Sequence, residues 1–580
     1  MEFKVFMQTV EEKLARISSE EELRDWIRGY ARSLSEGERE NFLAKLGSRE
    51  RKSHQDKLQE IIDWCEKVDK EEITLSCYGY ESYEYGGWDS DWIMNYEDPY
   101  EIGRKLETYY EEAEQAVYDR DYQSASRIYW NLGTLNIVAI DNEGGDPVDM
   151  SVEDMEKEGL AELDFERICP LTLYAEYQAD SLPERAAKMY GYFSWGMFRK
   201  TFLKDMMEVG TEPLKEMEEF LPQWIAYLRE QDDTYTARLL KEAVVLWRGD
   251  EGLLEEARRA ADKQPALYID VLGRFLEEKQ WEQLENEGLK ALELMDRKME
   301  IRDRAARMTA RGAFYMQDGA ACGRALTEAF YSKMTAANYL RVITCGSLEA
   351  GKAEEGSGFV PDRENVLETA EKIYKEIQAS RQGKEQNRYY WRSSRDRDPY
   401  IRTEGDCLGI AFLNGDYETV WKEAKKTTVS LGWSGRFIEA GVPMLLLYLF
   451  EGEEMEKGMA YMLGKVKYYL NYKEEYGEPD FAERFFVWKK TIDIPEEDKK
   501  KILKYLQKIT DKRVEAIVSG QHRGSYGKAA ALGAALGEAE EAMGIKYGKN
   551  IRLRRYLDQF PRYSIVAQLS RQKSKIFIMN

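Results

Sequence analysis

The sequence predicts an all-α protein, an irregular TPR-like helical-repeat (α-solenoid) array of roughly 25 helices. Apolar residues recur at the i, i+3, i+4 spacing of amphipathic helices along most of the 580 residues, and short turns with Gly or Asp separate these segments. Only two histidines, His54 and His522, occur in the chain. We expect one exception to the helical pattern, a small non-helical insertion near residues 73–98.

Composition limits the class of protein. A hydrophobic content of 43% with 12% aromatic residues excludes a wholly disordered chain, and 580 residues exceed the size at which one compact core keeps growing. A net charge of −23 argues against nonspecific attraction to nucleic acid or anionic membranes. Met1–Arg16 is typical of an amphipathic helix rather than a signal peptide, and the longest apolar run, Val442–Phe450, is about half a bilayer span. We therefore expect a cytoplasmic protein with no membrane partner.

The N-terminal region, residues 1–98, is predicted to hold helices followed by an aromatic loop. The segment from Ile73 to Tyr78 alternates like a short strand, and the following residues to Trp92 are predicted to form a hairpin or an ordered loop. Large aromatic side chains concentrate at interfaces, so this loop is a candidate recognition surface; the alternative is that its rings cap the helical stack. The candidate binding residues are Tyr80, Tyr83, Tyr85, Trp88 and Trp92.

Helix–turn–helix units are predicted at three places further along the chain. Their turns are Arg120-Asp121, Lys279-Gln280 and Gly415-Asp416, each followed by an aromatic residue. The distances between these units differ, which predicts an irregular array rather than a strict repeat. Two stretches interrupt the helical pattern, an acidic Gly/Pro loop at residues 141–154 and a Gly- and Glu-rich stretch at residues 348–363. The second stretch is predicted to separate a helical array over residues 99–350 from another over residues 362–580.

Basic residues gather at two places in this acidic chain. Residues 388–397 mix arginines with three consecutive aromatics, a combination that stacks bases or grips phosphates and acidic peptides. The alternative is a solvated turn with its rings packed inward. The candidate binding residues there are Arg388, Tyr389, Tyr390, Trp391 and Arg392. Residues 546–580 contain nine Lys or Arg and one acid, which suits an acidic partner, RNA or the protein's own acidic part.

The motifs of catalysis and of metal binding are missing from the sequence. Gly524–Lys528 resembles a phosphate loop only superficially, because His522 replaces the first Gly and Ala529 follows the Lys. This segment instead predicts an Ala-rich helix in which Gly533 and Gly537 permit close approach. The six cysteines form no C-x-x-C or C-x-C pair, so we expect reduced, mostly buried thiols, no cofactor and no enzymatic activity.

Three passages share an Ala- and Leu-rich helical texture: Leu253–Leu292 (LLEEARRAADKQPALY and onward), Ile301–Leu340 (IRDRAARMTARGA and onward) and Gly520–Leu536 with the later Phe560-Pro561-Arg562. Together they resemble the helical-repeat region of bacterial SWIM zinc-finger proteins and their uncharacterised relatives, over about a third of the chain. The C-x-C and C-x-H zinc ligands of that finger are missing from the sequence, so the resemblance implies the scaffold and no metal. It also implies a possible partner, an AAA+ ATPase or a von Willebrand A-domain protein.

These observations favour a non-catalytic helical-repeat scaffold that binds a protein or peptide partner, as part of a multi-protein bacterial system of the conflict or defence type. The alternative is a nucleic-acid-binding component that uses the basic aromatic segment and the basic C-terminus.

Overall fold

The computed structural model describes residues 20–33, 35, 39, 54–82, 91–142, 144–210, 212–233, 235–348, 404–426 and 441–561. Over these residues the chain is predominantly helical, with 24 α-helices, which confirms the helical part of the expected fold. The expected all-α class is wrong in one respect, because a four-stranded sheet is also present. In the described ranges, no helix has both the length and the apolarity needed to span a bilayer.

The chain divides into two compact units, Met1–Phe220 and Leu221–Asn580. The first unit combines the sheet with helices, and the division falls within α9. Its helices are α1 (Glu20–Ser33), α2 (His54–Asp69), α3 (Ile102–Tyr118), α4 (Tyr122–Gly133), α5 (Val152–Lys157), α6 (Phe165–Ala179), α7 (Leu182–Tyr192), α8 (Leu203–Val209) and the start of α9 (Met217–Arg229), with a 3₁₀ turn at Gly196–Lys200.

The second unit is helical throughout its described residues. Its helices are α10 (Thr236–Arg248), α11 (Glu251–Arg259), α12 (Pro265–Glu277), α13 (Trp281–Leu294), α14 (Arg302–Tyr315), α15 (Gly319–Ser332), α16 (Ala336–Leu348), α17 (Glu404–Leu413), α18 (Tyr417–Lys426), α19 (Val442–Tyr448), α20 (Lys457–Tyr469), α21 (Phe481–Lys489), α22 (Glu496–Ser519), α23 (Tyr526–Ala542) and α24 (Gly548–Gln559), with a 3₁₀ turn at Arg523–Ser525. The three-part division expected from the sequence stays a prediction.

The sheet of the first unit has the strand order β2-β1-β3-β4. Strands β1 (Leu75–Ser82) and β2 (Asp91–Glu97) are antiparallel, as a hairpin requires. The other two strands, β3 (Ile137–Asp141) and β4 (Val148–Met150), lie outside the expected insertion at 73–98. β3 runs parallel to β1 and is buried at its first three residues. Its sequence is therefore a short apolar run without the alternation of a half-exposed strand. That is why the sequence pattern did not separate it from the helices around it.

Helix pairs are joined by one recurring two-residue turn. Arg120, Lys279, Gln317 and Gly415 each have a positive φ of 57–77° two positions after the last residue of a helix. In each case the next residue donates its backbone N–H to a carbonyl five residues earlier, as in a Schellman motif; for Asp121 and Ala116 the distance is 2.9 Å. Asp121 and Asp318 then cap the following helix through their side chains. The three expected helix–turn–helix units are therefore present, and the structure adds a fourth at α14–α15.

Small residues set the closest helix approaches in the second unit. A Cβ placed on Gly533 would lie 2.7 Å from the ring of Tyr556, and one on Gly537 would lie 2.4 Å from Cα of Lys549. Both contacts place α24 directly against α23, as the spacing of these glycines predicts. The packed core here consists of Val514, Ile517, Val518, Tyr526, Ala529, Ala530, Ala534, Leu553, Tyr556 and Phe560.

Candidate functional site

Most of the binding residues expected from the sequence lie outside the described residues. This holds for Tyr83, Tyr85 and Trp88 and for the whole segment from Arg388 to Arg392. Tyr80 and Trp92 belong to β1 and β2, where the register pairs Tyr80 with Ile93 and Trp92 with Glu81. Of the two predicted forms, a hairpin or an ordered loop, the antiparallel pairing of β1 and β2 fits the hairpin, and the recognition role of its aromatic residues stays a prediction.

The described residues contain a different constellation, a cleft in the second unit between α14 and the loop that joins α20 to α21. Three arginines of α14, Arg304, Arg307 and Arg311, are spaced i, i+3, i+7 and share one face of the helix. Other residues of α14 are buried against α13 and α15, among them Ala306 and Ala313. The cleft is lined by Arg307, Ala310, Arg311, Phe314, Leu326, Glu475, Tyr476 and Glu478.

Glu478 fixes the loop side of the cleft. Its carboxylate accepts hydrogen bonds from Arg341 Nε at 2.6 Å and Nη2 at 2.8 Å, and from Arg307 Nη2 at 2.7 Å. Arg484, which is fully buried in α21, lies 4.0 Å from the same carboxylate. A buried carboxylate is stabilised only when such partners compensate for its lost hydration, and here three guanidiniums surround one Glu.

The contacts of Glu478 belong to a closed ring of buried polar groups. Arg341 Nη1 donates to Asn338 Oδ1 at 2.8 Å, and Asn338 Nδ2 donates to Asp303 Oδ1 at 2.7 Å. Asp303 lies 3.8 Å from Arg307, and the ion pair of Arg307 with Glu478 closes the ring. The ring therefore joins α14, α16 and the loop, so that the two walls of the cleft are held in one arrangement.

The pKa values of the ring follow its geometry. Burial alone would raise the pKa of Glu478, but the hydrogen bonds and charge of Arg341 and the charges of Arg307 and Arg484 outweigh it, so this pKa is lowered. For Asp303 burial is the larger effect and its pKa is raised despite the charges of Arg307 and Arg341. Glu478 is therefore the carboxylate whose ionised form the ring favours.

The loop over α14 has an unusual backbone. Tyr476 has a φ of 59° and Gly477 a φ of 70°, two consecutive left-handed residues, of which only the glycine adopts this conformation without strain. The turn brings the Tyr476 ring within 5.0 Å of the Arg307 guanidinium and its hydroxyl within 3.4 Å of Arg304 Nε. A Cβ on Gly477 would lie 3.5 Å from Nε of Arg311, so the loop backbone runs close to that side chain.

Aromatic rings surround Arg311 beside the cleft. The Arg311 guanidinium lies 4.6 Å from the ring centres of both Phe314 and Tyr315, and it donates to the Tyr315 hydroxyl at 3.0 Å. The Tyr315 ring, which is 45% exposed, stacks on Trp281 at 4.0 Å between centroids. Gly312 permits this stack, because a Cβ there would lie 2.8 Å from the backbone nitrogen of Glu285 in α13.

The guanidiniums of Arg311, in the cleft, and of Arg304, beside it, differ from those of four buried arginines of the same unit. Arg302, Arg307, Arg341 and Arg552 each pair with at least one carboxylate. Within the described ranges, Arg304 and Arg311 have no carboxylate within ion-pair distance, and the buried Nε of Arg307 has no hydrogen-bond acceptor. The cleft therefore presents guanidinium donors beside aromatic faces, a combination that recognises carboxylates and other planar anions.

The sequence carries one signal of this site. The i, i+3, i+7 spacing of arginines lies within the Ile301–Leu340 passage, where the Ala-rich texture is the more prominent feature. The acidic loop with Tyr476 and Gly477 carries no motif. Its position depends on the hydrogen bonds of Glu478 with Arg341 and with Arg307, which are separated from it in the sequence by 137 and 171 positions.

The side chains of Cys65, Cys77, Cys169, Cys322 and Cys345 are buried, as expected for them. Among the described residues, no group of three or more His, Cys, Asp or Glu side chains is placed to hold a metal ion. No family model, curated protein or solved structure matches this chain. The resemblance to the helical region of SWIM zinc-finger proteins stays a prediction.

Proposed function

We propose that this protein is a non-catalytic helical scaffold that binds a protein or peptide partner, and that a segment of the partner lies on the surface over the cleft between α14 and residues 470–480. The observation that carries the proposal is the Arg311 guanidinium, which contacts the rings of Phe314 and Tyr315 and lacks a carboxylate partner in the described part of the chain. Arginine and aromatic side chains in such settings dominate the binding energy of many interfaces.

The polar ring below the cleft also supports this proposal. Its buried charged groups hold residues 470–480 against α14, although apolar side chains of similar volume would stabilise the fold equally well. Tyr476 is held in a left-handed conformation there, and strained residues of this kind cluster at ligand clamps and switch regions. A binding cleft gains from such fixation, because a preformed site loses less conformational entropy when its ligand binds.

The test is recovery of partners from the native host with the tagged full-length chain. We expect one or two stoichiometric proteins with the natural sequence and at least tenfold less of them with Arg311→Ala, as loss of about 1.4 kcal/mol implies. Arg259→Ala is the matched control, because Arg259 is an exposed arginine on α11 of the same unit. Equal recovery with Arg311→Ala and with the natural sequence contradicts the cleft as the binding site. An AAA+ ATPase or a von Willebrand A-domain protein among the partners would support the bacterial multi-protein system.

Nucleic-acid binding is a second candidate, and a different surface favours it. Lys500, Lys504, Lys508 and Lys512 follow one another at four-residue spacing on exposed positions of α22, which places them in one row. In the described part of the chain, Lys504, Lys508 and Lys512 form no ion pair, unlike Lys500, which pairs with Glu497. A row of such lysines can pair with successive phosphates of a nucleic-acid backbone. The test is a salt titration of binding to single-stranded RNA: affinity that is unchanged between about 50 and 200 mM salt excludes several phosphate contacts.

A further inference from the structure

We infer that the segment bound in the cleft is an extended acidic peptide with two carboxylates three residues apart, one paired with Arg304 and the other with Arg311. This inference rests on the proposed function and names the chemistry of its ligand. It follows from the spacing of the two arginines, from their available donors and from the charges that surround them.

The first step is the set of available donors. A guanidinium has five N–H donors in a fixed fork that matches a carboxylate. Arg311 uses one donor group for the Tyr315 hydroxyl, and Arg304 uses Nε for a long contact of 3.4 Å to the Tyr476 hydroxyl. The remaining nitrogens of both side chains are therefore available to a ligand. Buried Arg307 differs, because Glu475 and Glu478 occupy its terminal nitrogens at 2.8 and 2.7 Å.

The second step is the distance between the two arginines. Residues seven apart in an α-helix are separated by about 10 Å along the helix axis. A peptide in the extended polyproline II conformation rises about 3.1 Å per residue with three residues per turn, so side chains three residues apart lie on one face and are separated by about 9 Å. Two acids in the pattern acid-x-x-acid therefore match Arg304 and Arg311, whereas adjacent acids are separated by about a third of that distance and point in different directions.

The third step is the local charge. Five guanidiniums (Arg304, Arg307, Arg311, Arg341 and Arg484) meet three carboxylates (Asp303, Glu475 and Glu478) in and beneath the cleft, so this part is locally positive. The whole chain carries −23. A short ligand with two carboxylates experiences mainly the local charge, whereas a long polyanion would also meet the acidic remainder of the molecule. A peptide is thus favoured over nucleic acid at this site.

The fourth step is the aromatic edge. The stacked rings of Trp281 and Tyr315 border Arg311 on its exposed side. A ring or an apolar side chain following the second acid would lie on this stack, and burial of the ion pair beneath it would strengthen the contact with Arg311.

The experiment measures fluorescence anisotropy of labelled Ala/Ser/Gly peptides with the full-length chain. One probe has two glutamates three residues apart, the second has the two glutamates adjacent, and the third has glutamines in place of both. We expect the spaced probe to bind at least about tenfold more tightly than the glutamine probe and more tightly than the adjacent probe. Arg304→Ala and Arg311→Ala are each expected to weaken the spaced probe about tenfold, with Arg259→Ala as the unchanged control.

Four results would overturn the inference: equal affinity for the spaced and glutamine probes, equal affinity for the spaced and adjacent probes, no saturable binding up to about 1 mM, or no effect of either alanine variant. Arg304→Lys and Arg311→Lys keep the charge and lose the fork, so intermediate losses in these variants show that guanidinium geometry matters even if an alanine variant is poorly folded. A glutamine probe that binds and is released by Arg311→Ala would contradict the carboxylate chemistry and leave the cleft as a peptide site. Failure of the proposed function itself is seen separately, as unchanged partner recovery with Arg311→Ala.

Discussion

Glu478 and Arg341 are joined by two hydrogen bonds, from Nε at 2.6 Å and from Nη2 at 2.8 Å, across 137 residues of sequence. The pair fastens the loop between α20 and α21 to α16. Glu478 also accepts a hydrogen bond from Arg307 of α14. This one carboxylate therefore holds the loop in place as the second wall of the cleft.

Replacement of Glu478 by glutamine is expected to lower the free energy of unfolding by about 3–5 kcal/mol, because it leaves buried guanidiniums without their counter-charge. Urea denaturation followed by circular dichroism measures the change. Glu474→Gln is the matched control in the same loop, where the carboxylate pairs with partly exposed Lys467, and we expect a loss of about 1 kcal/mol or less. Equal losses in the two variants would show that the ring around Glu478 does not hold the loop.

The contribution of Glu478 is expected to depend on pH. Its pKa in the folded protein lies below the ordinary value of 4.5, so the folded state favours the ionised form. The stabilisation is therefore complete above pH 4.5 and is lost as the pH falls through the lower folded value. The difference in unfolding free energy between the natural sequence and Glu478→Gln should be constant from pH 7 to about pH 5 and should shrink below pH 4.5. A difference that grows on acidification would have the wrong sign for a depressed pKa.

The aromatic edge of the cleft depends on Gly312. Gly312→Ala should destabilise the protein by about 1–3 kcal/mol, since the added methyl meets the backbone of α13. In α20, Gly464 is exposed and has no atom within 4 Å of an added Cβ, so Gly464→Ala should stabilise by about 0.5–1 kcal/mol. Thermal denaturation of both variants gives the comparison. If both substitutions stabilise, the close contact of α13 and α14 at Gly312 is not real.

The recurring turn makes a prediction about backbone strain. Lys279 has a φ of 57° at the end of α12, where Gly415 occupies the equivalent position after α17. Lys279→Gly should raise the free energy of unfolding by up to about 1 kcal/mol, because glycine relieves the left-handed strain. Lys504→Gly, an exposed position in the middle of α22, should lower it by about 1 kcal/mol. Destabilisation by both changes would argue against a left-handed Lys279.

Local patterns made part of this fold predictable. The turn at Arg120-Asp121 and its counterparts at Lys279 and Gly415 are written in a few adjacent residues, and the structure has a helix on each side of all three. The spacing of Gly533 and Gly537 likewise predicts a helix packed closely against α23, and α24 lies there. β3 escaped prediction because a buried parallel strand lacks alternation, and its pairing with Leu75–Cys77 bridges two intervening helices.

The cleft was beyond sequence reasoning for a related reason. Asp303, Asn338, Arg341 and Glu478 form one ring, yet nothing in the neighbourhood of any of them reveals the other three. Among 108 acidic residues the partner of a given arginine cannot be read from composition. Only the face of Arg304, Arg307 and Arg311 on α14 was visible in advance.

Hydrogen exchange of the full-length chain, with and without a partner recovered from the host, tests the central claim most directly. The account predicts slower amide exchange in α14 and in residues 470–480 when the partner is bound, and loss of that protection with Arg311→Ala but not with Arg259→Ala. Protection confined to other elements, with α14 and residues 470–480 unchanged, would contradict the cleft as the place where this scaffold binds its partner.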